Sequence, residues 1–91
     1  MTVNLNPNEV VLKAGDTMYN SIEDKLIVTN QRVFFMKNNI NIPFDSILEV
    51  IFYNNGIFRP KELNIVTKDN MNYRFPLKKR DEFGELINKM Y

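Results

Sequence analysis

The sequence predicts a mainly β fold with one C-terminal α-helix. Apolar and polar residues alternate with a period of two over most of the chain, short clusters of Asn, Asp and Gly interrupt this alternation, and a helical period occurs only near the end. A chain of 91 residues can build one hydrophobic core. We therefore expect a single domain over residues 9–91, preceded by a loosely held polar arm over residues 1–8.

The first strand is predicted at residues 9–13, which are mostly apolar. Residues 14–16, Ala-Gly-Asp, have the composition of a turn, so the strand is expected to end there. Residues 17–24 follow neither period, and they form either a short strand or an ordered loop.

The central hairpin is predicted at residues 26–35, where two apolar strands flank a polar turn at Asn30 and Gln31. A two-residue turn pairs the strands directly, whereas a longer turn stays open as an alternative because Gln31 stands where tight turns favour Gly. Side-chain alternation assigns Leu26, Val28, Val33 and Phe35 to a core face, and Ile27, Thr29, Arg32 and Phe34 to an outer face.

This hairpin and the segment after it resemble a known family. The run K-L-I-V-T-N-Q-R-V-F-F over residues 25–35, followed by I-N-I-P-F-D-S-I-L-E-V over residues 40–50, is similar to the GRAM and bacterial pleckstrin-homology-like (PH-like) domains. The resemblance covers residues 9–91 in element order and implies a β-barrel or half-barrel of about six to seven antiparallel strands capped by a C-terminal amphipathic helix. One departure lies at residues 23–25, Glu-Asp-Lys, where family members often have Gly. Members share a fold more than an activity, so the resemblance implies an architecture rather than a ligand.

Further strands are predicted after the hairpin. Residues 40–42 alternate Ile with Asn as a half-buried strand does, and Pro43 ends the pairing. Residues 44–46 can make one turn that delivers Ile47 into the core, and the next strand is predicted at residues 48–53. A second hairpin joins residues 62–67 to 72–75 about a turn at 68–70, with Leu63, Ile65, Tyr73 and Phe75 facing inward.

The C-terminal residues change to a helical period. The residues at i, i+3, i+4 and i+7 that share one helical face are Phe83, Leu86, Ile87 and Met90. Asp81 and Glu82 near the start of this segment are favourable to the helix dipole. Gly84 is unfavourable in a helix interior, so it indicates either close packing or simple tolerance.

Composition and charge exclude several classes of function. The chain has no His and no Cys, which removes the commonest general base, the most reactive nucleophile and thiolate metal ligands. The 12 basic and 11 acidic residues give no strong field for nucleic acid. No long apolar run or signal-peptide pattern occurs. We therefore expect a cytoplasmic protein that is not an enzyme, that has no cofactor or metal, and for which nucleic-acid binding is disfavoured.

Two apolar clusters are candidate protein interfaces. Bulky apolar residues on an outer sheet face are typical of interfaces, and Ile27, Phe34 and Met36 occupy such positions, unless the arm over residues 1–8 covers them. The second cluster comprises Ile57, Phe58 and Arg59, which either form an exposed contact or place Phe58 beneath the barrel.

A basic cluster is a candidate contact for phosphate or an anionic lipid headgroup. It comprises Arg74, Lys78, Lys79 and Arg80, and the alternative is a solvated junction between the last strand and the helix. In the family, phosphoinositide binding relies on a basic loop between the first two strands, whereas residues 15–24 here contain no Lys or Arg.

The sequence thus predicts a non-enzymatic interaction module that binds a protein partner or self-associates through an apolar strand face or a sheet edge. The alternative, from another class, is peripheral membrane binding to anionic lipid through the C-terminal basic cluster.

Overall fold

The computed structural model describes residues 5–54, 56–57 and 61–91. Seven strands and one helix form within these residues, which confirms the mainly β fold with a C-terminal helix. The elements are β1 (Val11–Tyr19), β2 (Ile22–Thr29), β3 (Arg32–Phe35), β4 (Ile40–Pro43), β5 (Ile47–Tyr53), β6 (Glu62–Thr67), β7 (Asn72–Pro76) and α1 (Arg80–Asn88).

The strands form two antiparallel sheets. The first sheet has the order β1-β2-β3-β4, and the second has the order β5-β6-β7. Because each sheet is open, β1 and β4 are edge strands of the first, and β5 and β7 are edge strands of the second. The inner faces of both sheets and one face of α1 supply the buried core, whose largest members include Phe35, Phe75, Phe83, Leu26 and Leu63.

The central hairpin has the predicted register. Ile27 pairs with Phe34 between β2 and β3, and the turn contains the two residues Asn30 and Gln31. Every residue of the predicted core face is buried, since Leu26, Val28, Val33 and Phe35 are at most 1% exposed. This face therefore anchors the first sheet on the core.

The first strand is longer than predicted, and the turn predicted at residues 14–16 is wrong. β1 continues to Tyr19, and the chain reverses at Asn20 and Ser21, whose φ angles are 50° and 65°. Gly15 lies inside the strand and faces the ring of Phe83. A side chain does not fit at this position, because a Cβ atom there would be 2.9 Å from Cζ of Phe83. Its role is to let a helix side chain approach the strand closely, which a sequence pattern does not distinguish from a turn.

The remaining strands follow the predictions closely. Ile40–Pro43 forms β4, the single turn Phe44–Ser46 follows, and Ile47 is buried at the start of β5. The hairpin of β6 and β7 turns at residues 68–70. Its predicted inward residues Leu63, Ile65 and Phe75 are buried, and Tyr73 is partly buried against the core.

The helix α1 packs against β5 and β6. Phe83 and Ile87 are buried in the core, and Leu86 and Met90 pack beside them, as the helical period predicts. Gly84 is a position of close packing, because a Cβ atom there would clash with the ring of Phe52 and lie 3.1 Å from Cδ1 of Leu63. Of the helices in the described part of the chain, none has the length and apolar character needed to cross a membrane.

Candidate protein-interaction site

The outer face of the central hairpin is largely covered within the chain itself. Ile27 is 8% exposed and Phe34 is 5% exposed, and the guanidinium of Arg32 lies 4.7 Å from the centre of the Phe34 ring. Met36, the third candidate on this face, is partly buried. This face therefore offers little free apolar area to a partner.

The second apolar cluster is described only in part. Ile57 is 94% exposed, whereas Phe58 and Arg59 lie outside the described residues. A single exposed apolar side chain is common on protein surfaces and does not by itself define an interface.

The polar turn of the central hairpin binds Glu9. The hydroxyl of Thr29 donates to Oε2 of Glu9 at 2.6 Å, and Arg32 donates from Nε at 2.8 Å and from Nη2 to Oε1 at 3.0 Å. The Glu9 side chain has no exposed area. Chiefly because of the hydrogen bond from Arg32, the pKa of Glu9 is lowered to about 2. Glu9 is therefore a buried carboxylate that is ionised at neutral pH.

The same turn also binds the segment before β1. Asn30 accepts a hydrogen bond from the Val10 N–H at 2.8 Å and donates to the Asn8 carbonyl at 3.0 Å, and Gln31 donates to the Pro7 carbonyl at 3.0 Å. Hydrogen bonds thus join residues 7–10 to the polar turn. The T-N-Q-R turn and the preceding Glu9 are visible in the sequence. They do not predict these hydrogen bonds, since a polar turn and a preceding Glu occur in many chains.

The basic cluster separates into residues with different roles. Arg80 is 7% exposed and donates to the Tyr53 carbonyl and to Oδ1 of Asn54, each at 2.8 Å. It also pairs with Asp81 at 2.6 Å. Arg80 therefore joins the start of α1 to the end of β5, and its guanidinium is engaged inside the domain.

The other members of the cluster lie at the surface. Arg74 pairs with Glu62 at 2.9 Å and stacks 4.0 Å from the centre of the Tyr53 ring. Lys78 and Lys79 are exposed. The structure therefore does not bring the four cations together as one open anion site.

The edge of β1 carries the most exposed apolar run of the described chain. Val10, Val11 and Leu12 are consecutive and are 57%, 45% and 46% exposed. Leu12 lies at a register shift, where the pairing moves from Val11 with Thr29 to Lys13 with Val28. We call these three residues the β1 edge patch. It lies on a strand that has a neighbour on one side only within the described sheet.

A groove lies over the second half of β1 and its neighbours. It has a volume of about 780 Å³ and is lined by residues 14–18 of β1, 23–25 of β2 and 76–79, with Phe83. Asp16 pairs with Lys25 at 2.8 Å, and the hydrogen bond from Lys25 lowers the pKa of Asp16. The described residues contain no cluster of carboxylates that could hold a metal ion.

Comparisons with known proteins address the fold. No protein-family model matches the sequence. No curated protein matches it either. Among solved structures, the C-terminal domain of an unknown protein from Leishmania infantum is similar, with a TM-score of 0.75 over 92% of this chain and 85% of that chain, at 16% sequence identity. At this identity the similarity shows a shared fold.

Proposed function

We propose that this chain is a PH-like interaction domain without catalytic activity, and that it binds a protein partner or a second copy of itself through the edge of β1. The PH-like assignment is supported by the four-stranded and three-stranded sheets followed by a C-terminal helix. The T-N-Q-R turn of the resemblance also has a physical role here, since all four of its residues hydrogen-bond with the segment before β1 or within the turn.

The observation that carries the proposal is the β1 edge patch. Exposed apolar residues at a strand edge with which no other described strand pairs form a surface that can pair with another strand. The outer face of the hairpin is a weaker candidate, because Ile27 and Phe34 are buried. Anionic lipid binding is not part of the proposal, because Arg80 is committed to internal hydrogen bonds and Arg74 to Glu62.

Sedimentation velocity over a concentration series tests the self-association form of this proposal. We expect reversible association of the wild-type chain, and we expect Leu12→Lys to weaken it because a charge on the edge opposes strand pairing. The matched control is Met71→Lys, since Met71 is equally exposed at 46% but lies in the turn before β7. A strict monomer at every concentration would exclude self-association.

Site-specific photocrosslinking tests whether the chain binds a protein partner through the edge of β1. A photoreactive residue at Val11 should crosslink one discrete protein, and that product should be lost when Leu12→Lys is added. The same photoreactive residue at Met71 should give no such product. Equal products from both positions would contradict docking at the β1 edge.

A further inference from the structure

The segment that precedes β1 is attached to the domain chiefly through the polar turn of the central hairpin. Of residues 5–12, only Glu9 is buried. Within the described part of the chain, the hydrogen bonds that leave residues 6–10 all end on residues 29–32. A segment held by local polar contacts, with little apolar packing, opens at a lower free energy than the core does.

The polar turn recognises this segment through contacts that do not depend on which molecule supplies it. Asn30 accepts a hydrogen bond from the Val10 N–H at 2.8 Å and donates its own N–H to the Val10 carbonyl at 3.1 Å, while Thr29 and Arg32 bind the Glu9 carboxylate. A second copy of the chain carries an identical segment, so exchanged segments would make these same contacts. The balance between the two arrangements is therefore set by association entropy and by the new interface between the copies.

The connection between this segment and the rest of β1 is formed by the β1 edge patch. A register shift at Leu12 interrupts the pairing of β1 with β2 between Val11 and Lys13, and such irregularities bend a strand. The connection from Val10 to Lys13 spans at most about 10 Å, so exchange requires two β1 edges in direct contact. The two connections then cross side by side, and the apolar residues that are exposed in one copy are covered by those of the other.

We propose that two copies of this chain exchange residues 5–10 across a two-fold axis at the β1 edge patch, so that Glu9 of each copy binds Thr29 and Arg32 of the other. This inference rests on the proposed function, and it specifies the partner as a second copy and the contact as segment exchange. Both copies contribute the same surface, as a two-fold interface requires. The buried ion pair fixes the position of the exchanged segment, because a buried charge without its partner is strongly unfavourable.

Charge-swap complementation tests the exchange. The Glu9→Lys chain and the Arg32→Glu chain each bring like charges together at the polar turn. In a mixture, exchange restores the pairing, because the Arg32→Glu chain supplies Glu9 to the intact turn of the Glu9→Lys chain and the two introduced charges meet at the other turn. We expect sedimentation velocity to show a heterodimer at concentrations at least about tenfold below those at which either variant dimerises alone.

The matched control uses the ion pair between Asp16 and Lys25, which joins β1 and β2 at 2.8 Å outside the exchanged segment. A mixture of the Asp16→Lys and Lys25→Asp chains should associate no more strongly than its components. Segment exchange would be overturned if the Glu9→Lys and Arg32→Glu chains, each shown to be folded by circular dichroism, also gained nothing from mixing.

Isotope-filtered nuclear Overhauser measurements on the wild-type chain do not depend on the folding of any variant. Carbon-13-labelled and unlabelled chains are refolded together, and we expect contacts between Glu9 of one copy and Thr29 of the other. A dimer that Leu12→Lys weakens but that lacks these contacts would overturn segment exchange and leave the proposed function standing. A chain that stays monomeric would also overturn exchange, and photocrosslinking at Val11 then decides the proposed function separately.

Discussion

Arg32 and Arg80 show how single polar residues are used in this domain. Arg32 holds the buried carboxylate of Glu9, and Arg80 holds the end of β5 against the start of α1. A K-K-R sequence looks the same whether its arginine points outward or inward. The direction of Arg80 is set by the carbonyl of Tyr53, which is distant in sequence, so residue patterns near position 80 carry no signal for it.

The ionised Glu9 predicts a particular dependence of stability on pH. The pKa of Glu9 is lowered from 4.5 to about 2 in the folded chain. Its contribution to the free energy of unfolding is therefore complete above pH 4.5 and is lost as the pH falls toward 2. Glu9→Gln should lower stability by about 2 kcal/mol at neutral pH, since hydrogen bonds to a charged group are lost.

Urea unfolding of the wild-type and Glu9→Gln chains at a series of pH values measures this effect. The difference between the two midpoints should shrink as the pH falls through the acidic range, because protonation removes the charge from the wild-type side chain as well. Asp16→Asn is the control, since Asp16 is also paired with a cation but is exposed. Parallel curves for the wild-type and Glu9→Gln chains would contradict an ionised, buried Glu9.

At the scale of elements, two glycines set how closely α1 approaches the sheets. Gly15 in β1 faces Phe83 of the helix, and Gly84 of the helix faces Phe52 of β5. The sequence predicts the helix, because helical periodicity is local, and it leaves Gly84 open between close packing and simple tolerance. It assigns Gly15 to a turn, because the aromatic ring that explains this glycine comes from the far end of the chain.

Gly84→Ala should destabilise the domain although Ala is the better helix former. Ala gains about 1 kcal/mol in helix propensity, whereas forcing a methyl group against the partly exposed Phe52 ring and the buried Leu63 side chain costs about 1–3 kcal/mol. The Cβ atom of the introduced Ala would clash with the Phe52 ring. We expect a net loss of up to about 2 kcal/mol in the free energy of unfolding, measured by urea denaturation.

A double-mutant cycle with Phe52→Ala isolates this contact. In the Phe52→Ala chain, Gly84→Ala should cost less stability than in the wild-type chain, because Cδ1 of Leu63, at 3.1 Å, is then the remaining close neighbour of the added Cβ atom. If Gly84→Ala has the same effect in both chains, close packing against Phe52 is not the reason for the glycine.

For the whole molecule, the sequence predicts what depends on neighbouring residues and misses what depends on distant ones. The register of the central hairpin, the second hairpin and the helical face are local patterns, and the structure has all three. The binding of residues 7–10 to the polar turn joins segments that are about twenty residues apart or more in sequence. The groove beside β1 could not be predicted from one strand alone, because segments that are distant in sequence line it.

A charge introduced into the two apolar candidate clusters should change the free energy of unfolding by very different amounts. Phe34→Asp should lower the free energy of unfolding by about 3 kcal/mol or more, because it removes a buried ring and introduces a carboxylate into an apolar site. Ile57→Asp should leave stability within about 0.5 kcal/mol, because Ile57 is exposed. Urea unfolding of both variants measures this contrast, and similar losses would contradict the burial of Phe34.

The hydrogen bonds between the polar turn and residues 6–10 have a consequence for recognition. They fix the backbone immediately before β1, so Val10 is already ordered where the β1 edge patch begins. Ordering a loop is a major entropic cost of association. The segment before β1 is already ordered in the folded chain, so binding at the β1 edge does not include the cost of ordering it. If the proposed function holds, Glu9 preorganises the β1 edge patch without being part of it, and loosening the turn should weaken partner binding even where the edge residues are intact.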